Sequence, residues 1–563
     1  MGFERATPEA GLASPPDPGH LAPPCRSACP TDKDIPGFLR AIARGDPAAA
    51  WRIAYRDNLF PGVLGWICPR PCELACRLGA RGAPVPVCDL KRWLTSAHEP
   101  PPDLQPRPAG AGPAIAVIGA GPAGLAAAHD LAIAGARVTL FDRDERPGGL
   151  LTGCIPAFRL PPSVAESDIE RILALGIRFK PRFVLEDTRQ LDALRDEHGF
   201  TAMLLATGAG DDREPVVPGW RPTPMTRTAI ALLRDIGEGR ARMDGLRVAV
   251  VGGGNGAVDA ARAALRVGAK EVDLLYRRGR DAMPAFRDAI AAAESEGVRI
   301  HARTLVTEII WQGGTMRGVR CAHTDARDSD PRSTAPRPLP GTEYIRTCGA
   351  VVYATGQVPT LASDVGLAPG VFSCGDAPSG RGTVVDAIAT GRRAAARMIE
   401  SMTRAGTWDS GRPQEQRANS GGAVANGPGV TAAVPRDDLA MVSAARDGRL
   451  ADTPGDPLLP PASVTREAAR CLACDHVLAL DTEICILCGT CEDRCAYDAL
   501  AWRPATNGTA GAWRLTILDT DCQRCGDCVV GCPSGALTWN PWTHPNRICT
   551  VQTITTASPA AAS

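Results

Sequence analysis

Two glycine-rich turns, each set between a β-branched run and a helical run, constrain this chain more than any other feature. The first lies in AIAVIGAGPAGLAAAHDLAIAGARVTLFDR (114–143). Gly119 permits the tight turn, Gly121 lets the backbone approach a pyrophosphate, and Gly124 lets the helix pack close to the strand. Asp142 ends the second strand, where a carboxylate can accept hydrogen bonds from a ribose. The second lies in VAVVGGGNGAVDAARAALRVGAKEVDLLYRR (248–278), with Gly252, Gly254 and Ala257 as its fingerprint and Asn255 opening the helix. Its second strand ends in Tyr276-Arg277-Arg278 rather than an acid. Guanidinium groups suit a ribose 2′-phosphate, which an acid would repel. The bland reading, a glycine packing turn and a solvated strand end, has the strand–turn–helix–strand context against it.

Two dinucleotide folds in series point to a flavoprotein that exchanges hydride with a nicotinamide. The first is expected to hold FAD and the second NADPH. A later segment, GVFSCGDAPSGRGTVVDAIATGRRAA (370–396), supports this. Gly375-Asp376 offers a carboxylate to the ribityl chain, and the helix beginning near Thr383 points its N-terminus at the flavin. The FAD domain is then discontinuous, 110–210 plus 343–404, with an NADPH domain at 211–342 inserted. No Cys-x-x-Cys lies between 110 and 400, where Cys154, Cys321, Cys348 and Cys374 stand alone, so disulfide reduction is not expected. No nucleophile–base motif points to hydrolysis, and no acid–base catalytic residue is assigned.

The 21 cysteines supply another exit for electrons. Cys485, Cys488, Cys491 and Cys495, followed by Cys522, Cys525, Cys528 and Cys532 before Pro533, have the spacing of a bacterial two-cluster ferredoxin. The fourth cysteine of each run serves the other cluster. One set is therefore Cys485, Cys488, Cys491 and Cys532, and the other Cys522, Cys525, Cys528 and Cys495. Zinc is the alternative, disfavoured by eight cysteines in two matching runs. Upstream, PPCRSACP (23–30) and WICPRPCELACR (66–77) carry Cys25, Cys29, Cys68, Cys72 and Cys76, one more than a single cluster needs. Cys471 and Cys474 are not needed by the ferredoxin domain, and are expected to fold back and join Cys25 and Cys76. Cys29, Cys68 and Cys72 then hold another cluster. The alternative is one N-terminal cluster with spare thiols.

Lys plus Arg and Asp plus Glu both number 62, which argues against a broadly electrostatic nucleic-acid binder. No apolar run reaches membrane-spanning length, since 114–141 carries His129, Asp130, Arg137 and several glycines. The first twenty residues lack the apolar core of a secretory signal, and Ala6 breaks the myristoylation pattern. A reducing, cytoplasmic location is expected, in which cysteines serve as metal ligands or catalytic thiols. The fold class expected is multidomain α/β. A helical iron–sulfur domain and linker (1–109) precedes two Rossmann-like folds, a flexible linker (405–462), a ferredoxin-like α+β domain (463–549) and a tail (550–563).

Residues 20–400 resemble the small subunit of glutamate synthase and the N-terminal part of dihydropyrimidine dehydrogenase. PPCRSACPTDKDIPGFL with ICPRPCELACR is similar to the N-terminal iron–sulfur segment of that family. RPGGLLTGCIPAFRLP (146–161) is similar to its flavin-side segment, which brings in Gly149 and Arg159, with Cys154 where the family has Gly. GGGNGAVDAARAALR, LLYRR and MPAF resemble its NADPH domain. TREAARCLACD resembles a segment that dihydropyrimidine dehydrogenase carries just before its N-terminal cysteines, here displaced beyond the flavin module. That enzyme has a Gln ligand where this chain has Lys91, so the ligand is not carried over, and Cys88 enters as the candidate fourth ligand beside Cys29, Cys68 and Cys72. The resemblance implies FAD, NADP(H) and low-potential electron traffic with ferredoxin or a partner redox subunit. The chain lacks the pyrimidine-binding barrel and any glutamate-forming domain. It reads as an NADPH:ferredoxin-type oxidoreductase, as the NADP-linking subunit of a larger complex, or as an electron-wire scaffold.

Overall fold

The computed structural model describes residues 23–102, 112–187, 189–209, 211–325, 336–358, 369–379, 382–408, 459, 461–471, 476–481, 484–495, 499–504, 512–517, 527–541 and 552–555. The N-terminal domain is helical. Its helices Ile35–Ala43 and Pro47–Asn58 each begin with a proline in the first turn. Asp34 and Asp46 cap them, accepting from Gly37 N and Ala49 N. Helices Pro61–Ile67 and Val87–Ala97 complete the bundle. Phe38, Trp51, Leu90 and Leu94 fill its centre.

The first nucleotide fold is a five-stranded parallel sheet in the order β15-β4-β1-β2-β3. Its strands are β1 (Ala114–Ile118), β2 (Arg137–Phe141), β3 (Arg178–Lys180), β4 (Ala202–Leu205) and β15 (Val371–Ser373). The Pro122–Ile133 helix follows β1 and is alanine-rich, so the long Val384–Arg404 helix can lie close against it. The second fold orders β6 (Thr226–Thr228), β13 (Ala350–Tyr353), β7 (Arg247–Val251), β8 (Glu271–Leu275) and β9 (Arg299–His301), again all parallel. An antiparallel sheet of β10 (Thr304–Gln312), β11 (Thr315–His323) and β12 (Tyr344–Thr347) packs beneath it.

The expected boundary at 342/343 therefore shifts. β12 and β13 both belong to the inserted unit, and the first sheet resumes only at β15. The reason is burial. All four residues of β13 are buried, and its partner β7 runs parallel from Val248 to Val251. An apolar strand of that kind needs cover on both faces. The polar stretch 322–342, which reads in sequence as an excursion from the sheet, links β11 to β12. The chain enters the inserted unit through β5 (Asp211–Asp212) and leaves through β14 (Gln357–Val358), which pair antiparallel.

In the C-terminal region β16 (His476–Leu480) pairs with β19 (Leu537–Pro541), and β18 (Ala512–Ile517) lies between β17 (Leu500–Pro504) and β20 (Gln552–Thr555). β20 comes from the expected tail, so the domain extends past 549. The helix Pro461–Ala469 begins inside the expected linker and packs on the N-terminal domain through Val464 and Ala468. The fold class is as expected: multidomain α/β with a helical N-terminal domain, two Rossmann-like folds and a ferredoxin-like C-terminal α+β region. No described helix is long and apolar enough to cross a membrane.

Candidate functional site

A single cavity of about 2040 Å³ runs between the two nucleotide folds. Ordinary small-molecule pockets reach about 1,000 Å³, so this one has room for two dinucleotides. From the first fold it is lined by Gly119, Gly121, Asp142, Gly149, Arg159, Gly375, Asp376 and Thr383. From the second it is lined by Gly252, Gly254, Asn255, Ala257, Arg277 and Arg278. Gly124 is not on its wall. A Cβ there would meet the carbonyl oxygen of Gly119, so its bare Cα is what lets the helix sit on the turn.

The glycines on the wall divide by what limits them. Gly119 has φ +109° and Gly252 φ +152°, and a Cβ on either would strike the backbone carbonyl of Ala206 or Ala354. Gly121 and Gly254 cap the Pro122–Ile133 and Asn255–Arg266 helices, and a Cβ on either would meet nothing within 4 Å. That open space at a helix N-terminus is where a phosphate fits. Gly149 packs its Cα side on Gly121, with a Cβ position 3.0 Å from the Gly121 Cα. The residues present thus fit FAD on the first loop and NADPH on the second.

Asp142 does more than the sequence indicated. Its Oδ2 accepts from Ala120 N in the fingerprint turn, and its Oδ1 accepts from Asp144 N at 2.8 Å. Burial raises the carboxyl above its usual range in spite of both bonds. Each oxygen keeps a second lone pair for a ribose. Thr383 caps the Val384–Arg404 helix in a reciprocal capping box with Asp386. Asp376, its carboxyl raised by burial and by Asp386, stands beside that helix start. In the second fold, Asn255 Oδ1 accepts from Phe286 N at 2.9 Å, which ties the MPAF segment over the fingerprint turn. Arg277 is exposed and Arg278 half-buried at the end of β8, both facing the cavity.

Two pairings on this wall join residues that sequence reasoning did not connect. Arg159 Nε lies 3.7 Å from Asp259 Oδ1, with both side chains nearly buried, and joins the flavin-side segment to the second fingerprint helix. Arg234 pairs with Asp144 at 2.6 Å and hydrogen-bonds Cys154, whose thiol burial pushes up. No local spacing announces either group. Cys321 and Cys348, isolated in sequence, are neighbours beneath the second sheet, where burial pushes their thiols up to about 11 and about 12.

The cavity also touches Ile67 and Pro69, on either side of Cys68. Cys68 and Cys88 are buried in one core cluster, and the electrostatic influence of Cys88, Cys68, Cys72 and Cys29 reaches Lys91 on the same helix as Cys88. Burial works against the Lys91 ammonium, yet these four thiols raise its pKa. A separate small cavity is lined by Cys25, Cys72, Cys76 and Cys471. The helix Pro461–Ala469 brings Cys471 there, and Cys474 lies outside the described residues. Among the described residues no three His, Cys, Asp or Glu side chains close around the position of one ion. A four-iron cube is wider and takes its thiolates at its corners.

In the ferredoxin region Cys491 and Cys528 are buried in one small core, against which Cys485, Cys495 and Cys532 pack. Cys488 is exposed, and Cys522 and Cys525 lie outside the described residues. Cys491 Sγ accepts from Trp502 Nε1 at 3.3 Å, and Cys495 Sγ from Ala499 N at 3.3 Å. Such N–H···S bonds are the means by which a protein stabilises cluster thiolates.

Residues 113–391 match the pyridine nucleotide-disulphide oxidoreductase family, residues 21–100 dihydropyrimidine dehydrogenase domain II with its 4Fe-4S cluster, and residues 484–536 the 4Fe-4S dicluster domain. FAD, NADP and 4Fe-4S clusters at both ends are the cofactors these domains carry. The beta subunit of NADP(+)-dependent formate dehydrogenase from Moorella thermoacetica is 35% identical over 465 residues, covering 72% of this chain and 63% of that subunit. The beta subunit of NADPH-Fe(3+) oxidoreductase from Geobacter sulfurreducens is 35% identical over 357 residues, covering 60% of this chain and 51% of that subunit. This chain therefore spans between half and two thirds of the length of those two relatives. The small chain of NADPH glutamate synthase from Azospirillum brasilense is 32% identical over 422 residues, covering 66% of this chain and 85% of the relative. With both nucleotide loops, the N-terminal thiols and most of that small chain's length accounted for, the chain belongs to the glutamate synthase small-chain family of FAD- and iron–sulfur-dependent oxidoreductases.

Proposed function

We propose that this chain passes electrons between NADP(H) and a low-potential one-electron partner, either ferredoxin or a partner subunit of a larger redox complex. One observation carries the reading: a single cavity is lined by both dinucleotide loops and reaches the residues flanking Cys68. When bound, FAD supplies the exchange of a hydride on one side for single electrons on the other. The chain's own groups do the placing. Gly121 and Gly254 leave two helix N-termini open to phosphates. Arg277 and Arg278 hold the 2′-phosphate that separates NADPH from NADH. Asp142 and Asp376 face ribose and ribityl hydroxyls, and Arg159 with Asp259 keeps the two folds in register. The residues flanking Cys68 bring the N-terminal thiol segment to the cavity, and Cys471 joins Cys25, Cys72 and Cys76 at a second, small cavity. The subunit names of the relatives support assembly with a partner.

Anaerobic mixing with NADPH, and separately NADH, tests this while flavin and iron–sulfur absorbance are followed. Fast bleaching of both chromophores by NADPH, and slow or no bleaching by NADH, is expected. Flavin bleaching without cluster reduction reverses the direction, making the partner the donor and NADP⁺ the acceptor. No bleaching by either nucleotide overturns the reading.

A further inference from the structure

The segment 151–160 is shared between two hydrophobic cores. Leu151 and Leu160 are buried in the core of the first fold, with Ile155 packed against it. Cys154 and Phe158, from the same stretch, are buried in the core of the inserted unit. The turn between them is closed by hydrogen bonds from Arg159 N and Leu160 N to Pro156 O, at 2.8 and 3.0 Å. The cavity wall takes Leu151, Cys154, Ile155 and Arg159 from this stretch but not Phe158.

Phe158 instead reaches the last turns of the Asn255–Arg266 helix. The guanidinium carbons of Arg262 and Arg266 lie 4.5 and 4.4 Å from the centroid of its ring. Both guanidinium groups donate to one acceptor, Glu296 Oε1, each at 2.7 Å. Arg262 is 1% exposed. A guanidinium over an aromatic face is attracted to it, more strongly where water is excluded. The ring is therefore gripped at a fixed place on the helix whose other end, at Gly254, opens the second phosphate site.

Other connections between the two folds are looser. The inserted unit joins the first fold covalently through β5 and β14, which pair over two residues each. A two-stranded ladder is weak by itself. Ion pairs cross to the inserted unit as well: Arg234–Asp144 at 2.6 Å, Arg159–Asp259 at 3.7 Å, and Arg70–Asp288 at 3.7 Å from the N-terminal domain. Long charged side chains can follow one another as backbones shift. A buried ring cannot, because moving it opens a void in a packed core.

Building on the electron-transfer reading above, we propose that Phe158 is a positioning residue for hydride transfer. Seated against Arg262 and Arg266, it fixes the angle between the two nucleotide folds, and with it the spacing of hydride donor and acceptor. In that step the nicotinamide C–H bond breaks and its electron pair passes with the proton to the flavin. NADPH is oxidised to NADP⁺ and the flavin is reduced by two electrons. Phe158 acts through the segment that carries Arg159 and through the helix that starts beyond Gly254. A displacement of about 1 Å slows such a transfer on the order of a hundredfold. Nucleotide affinity, resting on groups of the second fold, does not depend on that spacing.

The test uses the full chain prepared without oxygen, as wild type and as Phe158→Ala, Phe158→Leu and Phe158→Tyr. Calorimetric titration reads NADP⁺ affinity. Stopped-flow mixing reads flavin bleaching by saturating NADPH and by its deuterated form. Mass spectrometry reads amide hydrogen exchange. Phe158→Ala is expected to slow bleaching at least about tenfold, with flavin content and NADP⁺ affinity unchanged. The deuterium isotope effect persists, because hydride transfer is the step that slowed. Amides of β5 and β14 exchange faster, while those of β1 and β7 do not. Phe158→Tyr, which keeps the ring, holds rate and exchange near wild type. Phe158→Leu, which keeps apolar bulk without ring faces, falls between, and it decides the matter if the alanine variant does not fold. Unchanged bleaching and exchange in the alanine and leucine variants overturn the proposal. So does a loss of NADP⁺ affinity in step with the rate, or faster exchange throughout the chain, since either leaves Phe158 a stabilising residue only. A wild-type flavin that NADPH does not bleach overturns the electron-transfer reading instead, and exchange at β5 and β14 still decides whether Phe158 holds the two folds together.

Discussion

Gly391→Ala tests how the first nucleotide fold is held around its cavity. Gly391 lies inside the Val384–Arg404 helix where it meets the Pro122–Ile133 helix. A Cβ at this position would stand 2.1 Å from the carbonyl oxygen of Ala123. The obstacle is backbone, so no rotamer change relieves it. Ordinary non-bonded contact lies near 3.5 Å, so the two helices must part by about 1 Å or more. Two effects oppose each other. Alanine in place of glycine inside a helix favours folding by about 1 kcal/mol. Overpacking a core costs about 1–3 kcal/mol, and a backbone obstacle belongs at the upper end, leaving a net loss of about 2 kcal/mol. Ala123 also lines the cavity, next to the turn that carries Gly121, so the displacement reaches the cofactor. Gly237→Ala is the control, because a Cβ there meets nothing within 4 Å. The assay is the urea midpoint by far-ultraviolet circular dichroism, with flavin retention after gel filtration. Gly391→Ala should lower the midpoint and shed flavin, while Gly237→Ala should do neither. A Gly391→Ala protein with wild-type midpoint and full flavin would refute the packing argument.

Replacing Arg277 and Arg278 together with Ser should raise KM for NADPH at least about tenfold, the loss expected for charge-assisted hydrogen bonds, and leave KM for NADH nearly unchanged in steady-state assays. Trp502→Phe removes the N–H···S bond to Cys491, so the midpoint of one C-terminal cluster should move to more negative potential in a voltammetric titration, with iron content intact. Burial pushes the Asp168 carboxyl up to about 6, against the pull of Arg171 and of the backbone N–H groups of Val63 and Gly62. An acid raised on folding holds its proton in the folded state while the unfolded chain has already released it. Its contribution to stability is therefore present below about pH 4 and is lost as pH rises through about 6, by at most a few kcal/mol. Asp168→Asn should flatten the fall in urea midpoint between those values, and an unchanged slope would remove Asp168 as its source.

Much of the architecture was legible because it is local. A turn that must pass through positive φ, meet a phosphate and admit a helix within six residues has few solutions, and Gly119, Gly121 and Gly124 write one of them. The same holds for the ferredoxin cysteines, whose spacing is set by the size of the cluster they serve. The return of the chain after the ferredoxin-proximal helix was legible for a different reason: Cys471 had no use where it stood in sequence. Less legible was the end of the inserted unit. Sequence alone placed the boundary at 342/343, and only the pairing of Ala350–Tyr353 with Val248–Val251 shows the chain going back into the same sheet.

The sequence by itself determined the order of parts: thiols, a dinucleotide loop, a second loop with a basic strand end, and two matching cysteine runs. Each depends on backbone conformation or ligand chemistry within a dozen residues, and tertiary context has little freedom to change it. The tertiary structure alone decided what faces what. It set the residues flanking Cys68 on the wall of the flavin-side cavity and brought Cys471 to Cys25, Cys72 and Cys76. It joined Arg159 to Asp259, and it buried Lys33 and Lys91 rather than leaving them in water. These relations join segments far apart in the chain, and they are settled by which surfaces exclude water together, a property that no local window of sequence contains.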